Sequence, residues 1–385
     1  MNNICTKLIL VLAAIVLLTA CSLTTDDTTD KGEQDNGNVV DGVVYERYRG
    51  NFFDTFDTVV SVVGYTETEE EFVNYMGKIE ARFIELHKLY DIYKNYEGIN
   101  NVKTINDKAG IEPVKVDKEI IDLILFCKEW YGKSYGKTNI SMGPVLKIWH
   151  EYREEGEYDP FNAKLPPMDE LQAAAQHIDI NKVIVDTENS TVYLEDKAMS
   201  LDVGAVAKGF ATELVAQEIM ADGFTSGMIS AGGNVRAFDK PLDNQRERWG
   251  VGIQDPDKIA ILAEENLLDT IFLNNASVVS SGDYQRYYIV DGELIHHLIN
   301  PDTLMPGNYY RAVTVVTEDS GLADYLSTVV FMLPYEQSRQ FVESLGNVEA
   351  LWIMPDNTIE VTDGMKKMMK SNGATGIKES KQTTN

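Results

Sequence analysis

The chain has 385 residues, of which 34 are Lys or Arg and 61 are Asp or Glu, so its formal net charge is −27 at pH 7. A protein this acidic repels the phosphate backbone, which excludes a general nucleic-acid binder. Its length allows one large domain or two closely joined domains. Only one of its three cysteines lies beyond residue 21, so no internal disulfide is predicted in the mature domain.

The amino terminus has the pattern of a targeting segment. Leu8 to Leu18 is apolar but too short to span a bilayer, so residues 1–20 are predicted to be a signal peptide. The cleavage sequence resembles the lipobox of bacterial lipoproteins, in which Cys21 would become lipidated and anchor the protein at the extracytoplasmic face of the cell membrane. A plain secretory signal with an incidental cysteine is the alternative.

The remaining chain is divided by composition. Residues 21–42 are rich in Thr, Asp, Asn and Gly, which predicts a disordered linker behind the lipidated cysteine. Residues 43–365 are predicted to form the folded domain, and residues 366–385 a flexible tail.

Hydrophobic periodicity and turn residues predict both helices and strands in this domain. In chain order these are a strand at 56–65, a helix at about 71–94, a helix after Asp117, a hairpin at 183–194, a helix ending at Asp222-Gly223, a strand at 228–230, a hairpin around Asp291-Gly292, a strand at 313–317 and a helix at 322–333. Strands and helices do not alternate strictly. The pattern therefore predicts an α+β fold of mixed, largely antiparallel sheets with flanking helices.

The first motif with chemical potential is L-D-V-G-A-V-A-K-G at Leu201 to Gly209. It places a carboxylate, two glycines and a lysine where a helix is predicted to begin. Free backbone N–H groups and a lysine at a helix start suit a phosphate and its metal ion. An ordinary helix with a solvated Lys208 is the alternative.

The second motif is Ser280-Ser281-Gly282-Asp283-Tyr284, followed on the returning strand by His296-His297. The serine-glycine pair can donate hydrogen bonds to a phosphate. Adjacent strand residues point to opposite faces, so only one of the two histidines can face such a site. A structural histidine is the alternative.

The third motif is Ala323-Asp324-Tyr325-Leu326-Ser327-Thr328. Asp324 and Thr328 are four residues apart on a predicted helix, so their oxygens share one face. Oxygen ligands of this kind suit Mg²⁺, which completes its shell with phosphate and water. The alternative is a carboxylate that interacts with the helix dipole and a threonine bonded to its own backbone.

In this order the three motifs resemble the ApbE family of FAD:protein FMN transferases. The resemblance runs from about Phe53 to Leu333 and includes H-H-L-I-N-P after the second motif. It implies a flavin-binding cleft between two subdomains, with Mg²⁺ at the FAD pyrophosphate. Among its departures, Phe56-Asp57 stands where many members have Met-Gly, and Leu304 stands where a glycine is common.

The resemblance also implies roles for individual residues. Ala205, Asp324 and Thr328 would bind the metal, and His297 and Asp202 would be catalytic. The residues implied to contact FAD are Phe56, Tyr93, Ile140, Ser141, Met142, Asp202, Lys208 and His297.

The implied reaction is attack by a threonine or serine hydroxyl of an acceptor flavoprotein on the FMN-side phosphorus of FAD, with AMP leaving. Such transfers need positioning and charge neutralisation more than covalent help. Two other interpretations stay open from the sequence: an FAD pyrophosphatase that delivers the flavin group to water, and a flavin-binding lipoprotein without catalysis.

Overall fold

The computed structural model describes residues 39–40, 42–258 and 266–378. The predicted signal peptide, Cys21 and nearly all of the predicted linker lie outside the described residues. The described strands are β1 (Val39–Val40), β2 (Val43–Val44), β3 (Glu46–Thr55), β4 (Thr58–Thr66), β5 (Val114–Lys115), β6 (Val183–Asp186), β7 (Thr191–Leu194), β8 (Gly227–Ala231), β9 (Asn234–Phe238), β10 (Trp249–Gln254), β11 (Leu267–Leu273), β12 (Ala276–Gly282), β13 (Tyr287–Val290), β14 (Glu293–His296), β15 (Ala312–Thr317), β16 (Glu349–Ile353) and β17 (Ile359–Val361).

The described helices, leaving aside short 3₁₀ turns, are α1 (Glu69–Tyr90), α2 (Val102–Asp107), α3 (Lys118–Lys133), α4 (Gly143–Tyr158), α5 (Met168–Ala174), α6 (Ala207–Ala221), α7 (Ser320–Met332), α8 (Tyr335–Leu345) and α9 (Asp363–Met368). Side-chain caps fix several of their starts. Thr68 accepts a hydrogen bond from the Glu71 N–H at the start of α1 (3.2 Å), and Asp319 accepts one from the Leu322 N–H at the start of α7 (2.7 Å).

The centre of the molecule is an eight-stranded sheet in the order β17-β16-β15-β12-β9-β8-β4-β3. Every pairing within it is antiparallel. The strands are rich in Val, Ile and Thr, and β15 is buried along its whole length, as expected for a strand covered on both faces. The predicted α+β class with largely antiparallel sheets is confirmed.

Three apolar clusters hold the layers together. The largest lies between one face of the sheet and the helices, with Ile79, Phe83, Val329 and Phe331 at most 1% exposed. The second lies on the opposite face, under the ribbon of β10 and β11 and under α9. The third joins α4 and α5 to the hairpin of β13 and β14. Burial of this much apolar area is the main driving force for the fold.

Two predicted element boundaries are wrong, each for a local physical reason. Phe56 and Asp57 are not in a strand; both have positive φ (52° and 50°) and form the turn between β3 and β4. Val39 and Val40, assigned to the linker, pair instead with Val43 and Val44 in a small hairpin.

The predicted flexible tail is also wrong as far as residue 378. Met369 is buried, the Ser371 hydroxyl donates to Asp269 (2.5 Å), and the Glu247 N–H donates to the Gly376 carbonyl (2.7 Å). Residues 366–378 therefore lie against the β10–β11 ribbon, because α9 delivers Met369 to an apolar site that its composition alone did not indicate.

Within the described part of the chain, no helix has the length and hydropathy to cross a membrane. Cys127 lies in α3 and is 1% exposed. Burial raises the pKa of its thiol, so Cys127 has a packing role in the core.

Candidate active site

One large cleft of about 1340 Å³ opens between the three apolar clusters. Its walls come from the β3–β4 turn, the loop after α1, α4, the start of α6, one face of α7, and the β13–β14 hairpin. Among the residues that the structure describes, seven Lys or Arg and six Asp line it. The cleft is thus nearly neutral in a chain whose formal charge is −27, which suits an anionic ligand better than the rest of the surface does.

The L-D-V-G-A-V-A-K-G segment forms one wall and the entry to α6. Asp202 is held in place by its own N–H, which donates to the Ile140 carbonyl (2.7 Å), and by the Gly204 N–H, which donates to its carboxylate (2.9 Å). Burial raises the pKa of Asp202, and the Gly204 N–H and the nearby cations oppose that rise. Ala205 and Lys208 follow on the same wall, and both line the cleft.

The start of α6 has no side-chain cap, since Val206 precedes it. Its Gly209 N–H instead donates to the carboxylate of Asp324 on α7 (2.8 Å). A β-carbon at Gly209 would lie 2.3 Å from the Ser320 carbonyl oxygen and 2.4 Å from the β-carbon of Asp324. Glycine is required here because only its small size lets the two helices come this close.

Asp324 is 6% exposed and also accepts a hydrogen bond from the Asn234 amide (2.9 Å). Asn234 is aimed by the two-residue turn Gly232-Gly233, whose φ angles of 58° and 94° favour glycine. Burial raises the pKa of Asp324, while Lys208 and the two hydrogen bonds oppose the rise. A buried carboxylate that faces a cleft in this way gains from a nearby cation.

Thr328 lies one turn after Asp324 on α7, and both line the cleft with Ala205. Among the described residues, no group of three or more His, Cys, Asp and Glu could hold a metal. A cation here would depend on one carboxylate, a hydroxyl and a backbone carbonyl. Such a sparse oxygen set fits Mg²⁺, which takes its remaining ligands from phosphate and water.

The β13–β14 hairpin brings one of the two adjacent histidines into the cleft. His297 lines it, whereas His296 is buried and its Nε2 lies 2.7 Å from the Gly307 carbonyl oxygen. Burial, together with the positive charges of Arg286 and Lys208, lowers the pKa of His297 to about 3. Its imidazole is therefore neutral at pH 7 and able to accept a proton.

An aromatic wall lies across the cleft. The Phe56 ring packs against Phe83, His87 and Tyr90, while Tyr93 is 58% exposed. Asp91 fixes the loop that carries Tyr93 by accepting from the N–H of Tyr93 (2.6 Å). Met142 also lines the cleft.

Ile140 and Ser141, the other two residues of the predicted flavin-contacting segment, do not line the cleft. Ile140 is 1% exposed and its carbonyl positions Asp202. Ser141 is fully buried and its hydroxyl lies 2.6 Å from the Asn139 side-chain oxygen. Both residues are buried in the layer beneath the cleft wall, so they position the residues that line it.

Among the cleft residues that the sequence analysis missed are His87, His150, Arg153 and Arg286. His87 accepts a hydrogen bond from the Phe56 N–H (3.2 Å) and so holds the β3–β4 turn. His150 lies 2.7 Å from a guanidinium nitrogen of Arg153. None of the four belongs to a spaced motif, and only tertiary contacts bring them together.

The fold and the site define an α+β protein in which a carboxylate, a lysine and a histidine line one large cleft. Comparison with known proteins agrees. Residues 56–352 match the model of the ApbE family. An FAD:protein FMN transferase of Treponema pallidum is 31% identical over 277 residues, 68% of this chain and 72% of that protein. One from Klebsiella pneumoniae is 26% identical over 280 residues, 71% and 83% of the two chains.

Solved structures show the same fold. The ApbE protein of Thermotoga maritima superposes with a TM-score of 0.73 at 26% identity, covering 84% of this chain and 99% of that one. The flavin transferase ApbE of Vibrio cholerae has a TM-score of 0.68 at 18% identity. The chain belongs to the ApbE family.

Proposed function

We propose that the protein transfers the FMN moiety of FAD to a hydroxyl of an acceptor protein, releasing AMP. The observation that carries the proposal is the convergence of three distant motifs on one cleft: Asp202 and Lys208 from the first, His297 from the second, and Asp324 and Thr328 from the third. The named relatives are transferases of this kind.

Mg²⁺ is part of the proposal. Asp324, Thr328 and the Ala205 carbonyl would hold it, and it would neutralise charge on the FAD diphosphate. The fit of Mg²⁺ to this site depends on the Asp324 carboxylate. Burial raises its pKa despite the opposing charge of Lys208, so a bound cation would further stabilise its charged form. The predicted division into two subdomains around the ligand stays a prediction.

The reaction needs one proton acceptor and several positive charges. The acceptor hydroxyl oxygen forms a bond to the FMN-side phosphorus, and the bond from that phosphorus to the bridging oxygen breaks. The bridging oxygen leaves with AMP, and the hydroxyl proton passes to the neutral imidazole of His297. Lys208 stabilises the charge that develops on the phosphates. Asp202, fixed by two hydrogen bonds, orients the ligand.

We further propose that the acceptor residue is threonine or serine in a flavoprotein, and that lipid on Cys21 holds the enzyme at the extracytoplasmic face of the membrane. The lipobox-like sequence before Cys21 supports the anchor. Cells that express the wild type and Cys21→Ala should differ in detergent-phase partitioning. Equal partitioning into the aqueous phase would remove the anchor.

The test of function uses protein without residues 1–20, FAD and Mg²⁺, with and without a threonine-containing peptide from a candidate acceptor flavoprotein. AMP release together with a flavin adduct on the peptide is the expected result. AMP and free FMN without an adduct indicate the pyrophosphatase, and intact FAD indicates a flavin carrier.

Asp324→Asn tests the metal site. Asparagine keeps the shape but removes the charge, so Mg²⁺-dependent AMP release should fall by about 100-fold or more. Asp356→Asn, on an exposed turn outside the cleft, is the matched control. Full activity of Asp324→Asn at saturating FAD contradicts the assigned site.

A further inference from the structure

Arg286 lies beside His297 and is held there by the backbone. The Arg286 carbonyl oxygen accepts the His297 N–H (3.1 Å) and lies 3.2 Å from the His297 Nδ1. These contacts extend the β13–β14 pairing by one step, so the α-carbon of Arg286 has a fixed position next to the imidazole. Its side chain is exposed and lines the cleft.

The Arg286 guanidinium makes no hydrogen bond or ion pair with any residue in the described ranges. Among the arginines that line the cleft, Arg49 shares this property, whereas Arg311 and Arg153 do not. Arg311 bonds to Asp257 and Asn357. Arg153 contacts His150 (2.7 Å) and lies 3.8 Å from Glu157. In a chain with 61 acidic residues, a cleft arginine without a carboxylate partner is available to an anionic ligand.

Lys208 shares this property, because its ammonium group has no hydrogen bond or ion pair within the part of the chain that the structure describes. Lys208 lies on the Asp324 side of the cleft, since it directly precedes Gly209, whose N–H donates to Asp324 (2.8 Å). Arg286 lies on the hairpin side. The two cations therefore approach the region around His297 from different walls.

We propose that Arg286 binds the non-bridging oxygens of the phosphate that is transferred, the one attached to the flavin. The proposal rests on the proposed function. His297 takes the proton of the attacking hydroxyl, so the attacked phosphorus lies next to His297 and within reach of the adjacent guanidinium. The leaving oxygen departs on the side opposite the attack, away from Arg286.

A guanidinium suits this position because its N–H groups bond two phosphate oxygens at once. The FAD diphosphate carries two negative charges. The products carry three, one on the FMN diester and two on AMP, and the proton from the hydroxyl balances the third. Arg286 stabilises the share of this charge on the transferred group, and the metal and Lys208 act on the rest.

The test compares binding of FMN, riboflavin and AMP to the wild type, Arg286→Gln and Arg286→Lys by titration calorimetry. FMN and riboflavin differ only in the phosphate. In Arg286→Gln, FMN affinity should fall about tenfold, with riboflavin and AMP affinities unchanged, and Arg286→Lys should recover part of the loss. Turnover of FAD by Arg286→Gln should fall about 100-fold in kcat.

Arg248→Gln is the matched control. Arg248 is half-buried on the loop before β10, does not line the cleft, and loses the same charge. Its FMN and riboflavin affinities should equal those of the wild type.

Three outcomes overturn the assignment. A loss of AMP affinity with unchanged FMN binding places Arg286 on the leaving nucleotide. An equal loss for FMN and riboflavin places it on the flavin ring or in a structural role. Equal FMN affinity in Arg286→Gln and the wild type means that Arg286 makes no contact with the phosphate. If the wild type binds FMN but never turns over FAD, the proposed function fails, while the ratio of FMN to riboflavin affinity still decides the role of Arg286.

Discussion

Leu304 adopts a left-handed backbone conformation, with φ of 60°, although it carries a large side chain. The surroundings hold it there. Its side chain is 7% exposed in the third apolar cluster, and its carbonyl accepts a hydrogen bond from the Trp149 indole N–H (2.9 Å). Left-handed backbone costs a non-glycine residue about 1 kcal/mol or more, so burial of the leucine offsets strain in the loop after His297.

Because of this conformation, a glycine variant at residue 304 should be more stable than an alanine variant, which reverses the usual order of stability. Both Leu304→Ala and Leu304→Gly lose about 2–3 kcal/mol of apolar burial, but only glycine also removes the strain. Urea unfolding should show Leu304→Gly to be the more stable by about 1 kcal/mol. At Leu214, within α6, the alanine variant should be the more stable. The same order at both positions would contradict the assigned strain.

His297 links stability to pH. Because its folded pKa of about 3 lies below the ordinary value of 6.5, the unfolded chain binds a proton more readily. Its contribution to stability is complete above pH 6.5 and is lost as the pH falls toward 3. Denaturant unfolding between pH 7 and 4 should show a smaller loss of stability for His297→Gln than for the wild type. Parallel curves would mean that His297 titrates normally.

The sequence analysis identified cleft residues that belong to the three motifs and missed others, such as Arg286, that belong to none. Strand alternation predicted that only one of the two histidines faces the cleft, and the resemblance to the ApbE family indicated that it is His297. Arg286 carries no local signal, because a single arginine before a strand is common. Its place beside His297 depends on how the hairpin closes, which sequence spacing does not specify.

At the scale of elements, the contact between α6 and α7 positions the two walls of the cleft that carry Lys208 and Asp324. Gly209 allows the close approach of the two helices. A buried ion pair that includes Glu213 fixes the position of α7 along α6. Glu213 on α6 bonds Arg236 on β9 (3.0 Å) and accepts from the N–H of Ser320 at the first turn of α7 (2.8 Å). Both charged side chains are less than 10% exposed.

Breaking this pair should destabilise the protein strongly. Arg236→Met leaves the Glu213 carboxylate buried and unpaired, which should lower the free energy of unfolding by about 3–5 kcal/mol. The double variant Arg236→Met/Glu213→Gln removes the charge but keeps an acceptor for the Ser320 N–H, so it should recover much of the loss. Guanidinium unfolding of both variants measures this. A double variant as unstable as the single one would show that packing of Arg236, not charge, is what matters.

Hairpins whose turns contain residues typical of turns were predicted correctly, and the β3–β4 turn, which contains Phe56, was not. Asp291-Gly292 and Asn189-Ser190 lie at hairpin turns, as predicted, since their residues tolerate positive φ. The β3–β4 turn was missed because Phe56 is a poor residue for such a conformation. Its aromatic packing overrides the local preference.

At the scale of the whole molecule, the carboxyl-terminal segment supports the cleft from a distance. Residues 369–378 lie on the β10–β11 ribbon, and Ile271 forms a bridge with Met369. The same ribbon covers the second face of the central sheet, and Gly250 to Gly252 line the cleft. The ribbon is therefore held between the tail and the ligand site.

Two truncated proteins test whether the residues that lie on the β10–β11 ribbon stabilise it. Deletion of residues 369–385 should increase amide hydrogen exchange in β10 and weaken FAD binding. The ribbon would lose its contact with Met369 and the hydrogen bond from the Ser371 hydroxyl to Asp269, and the Glu247 N–H would lose the Gly376 carbonyl. Deletion of residues 379–385 alone is the control and should leave both unchanged. Equal exchange in the two truncated proteins would mean that the ribbon is stable without the tail.

Cys127, the only cysteine among the residues that the structure describes, offers a way to time the opening of the helical layer. Cys127 is buried in α3 near Tyr90 of α1 and Tyr325 of α7, does not line the cleft, and has a thiol with a raised pKa. A thiol reagent added to the native protein can react only when that layer separates. Its rate of modification would therefore report on core opening without a label in the active site, and bound ligand would slow it only through its effect on the whole fold.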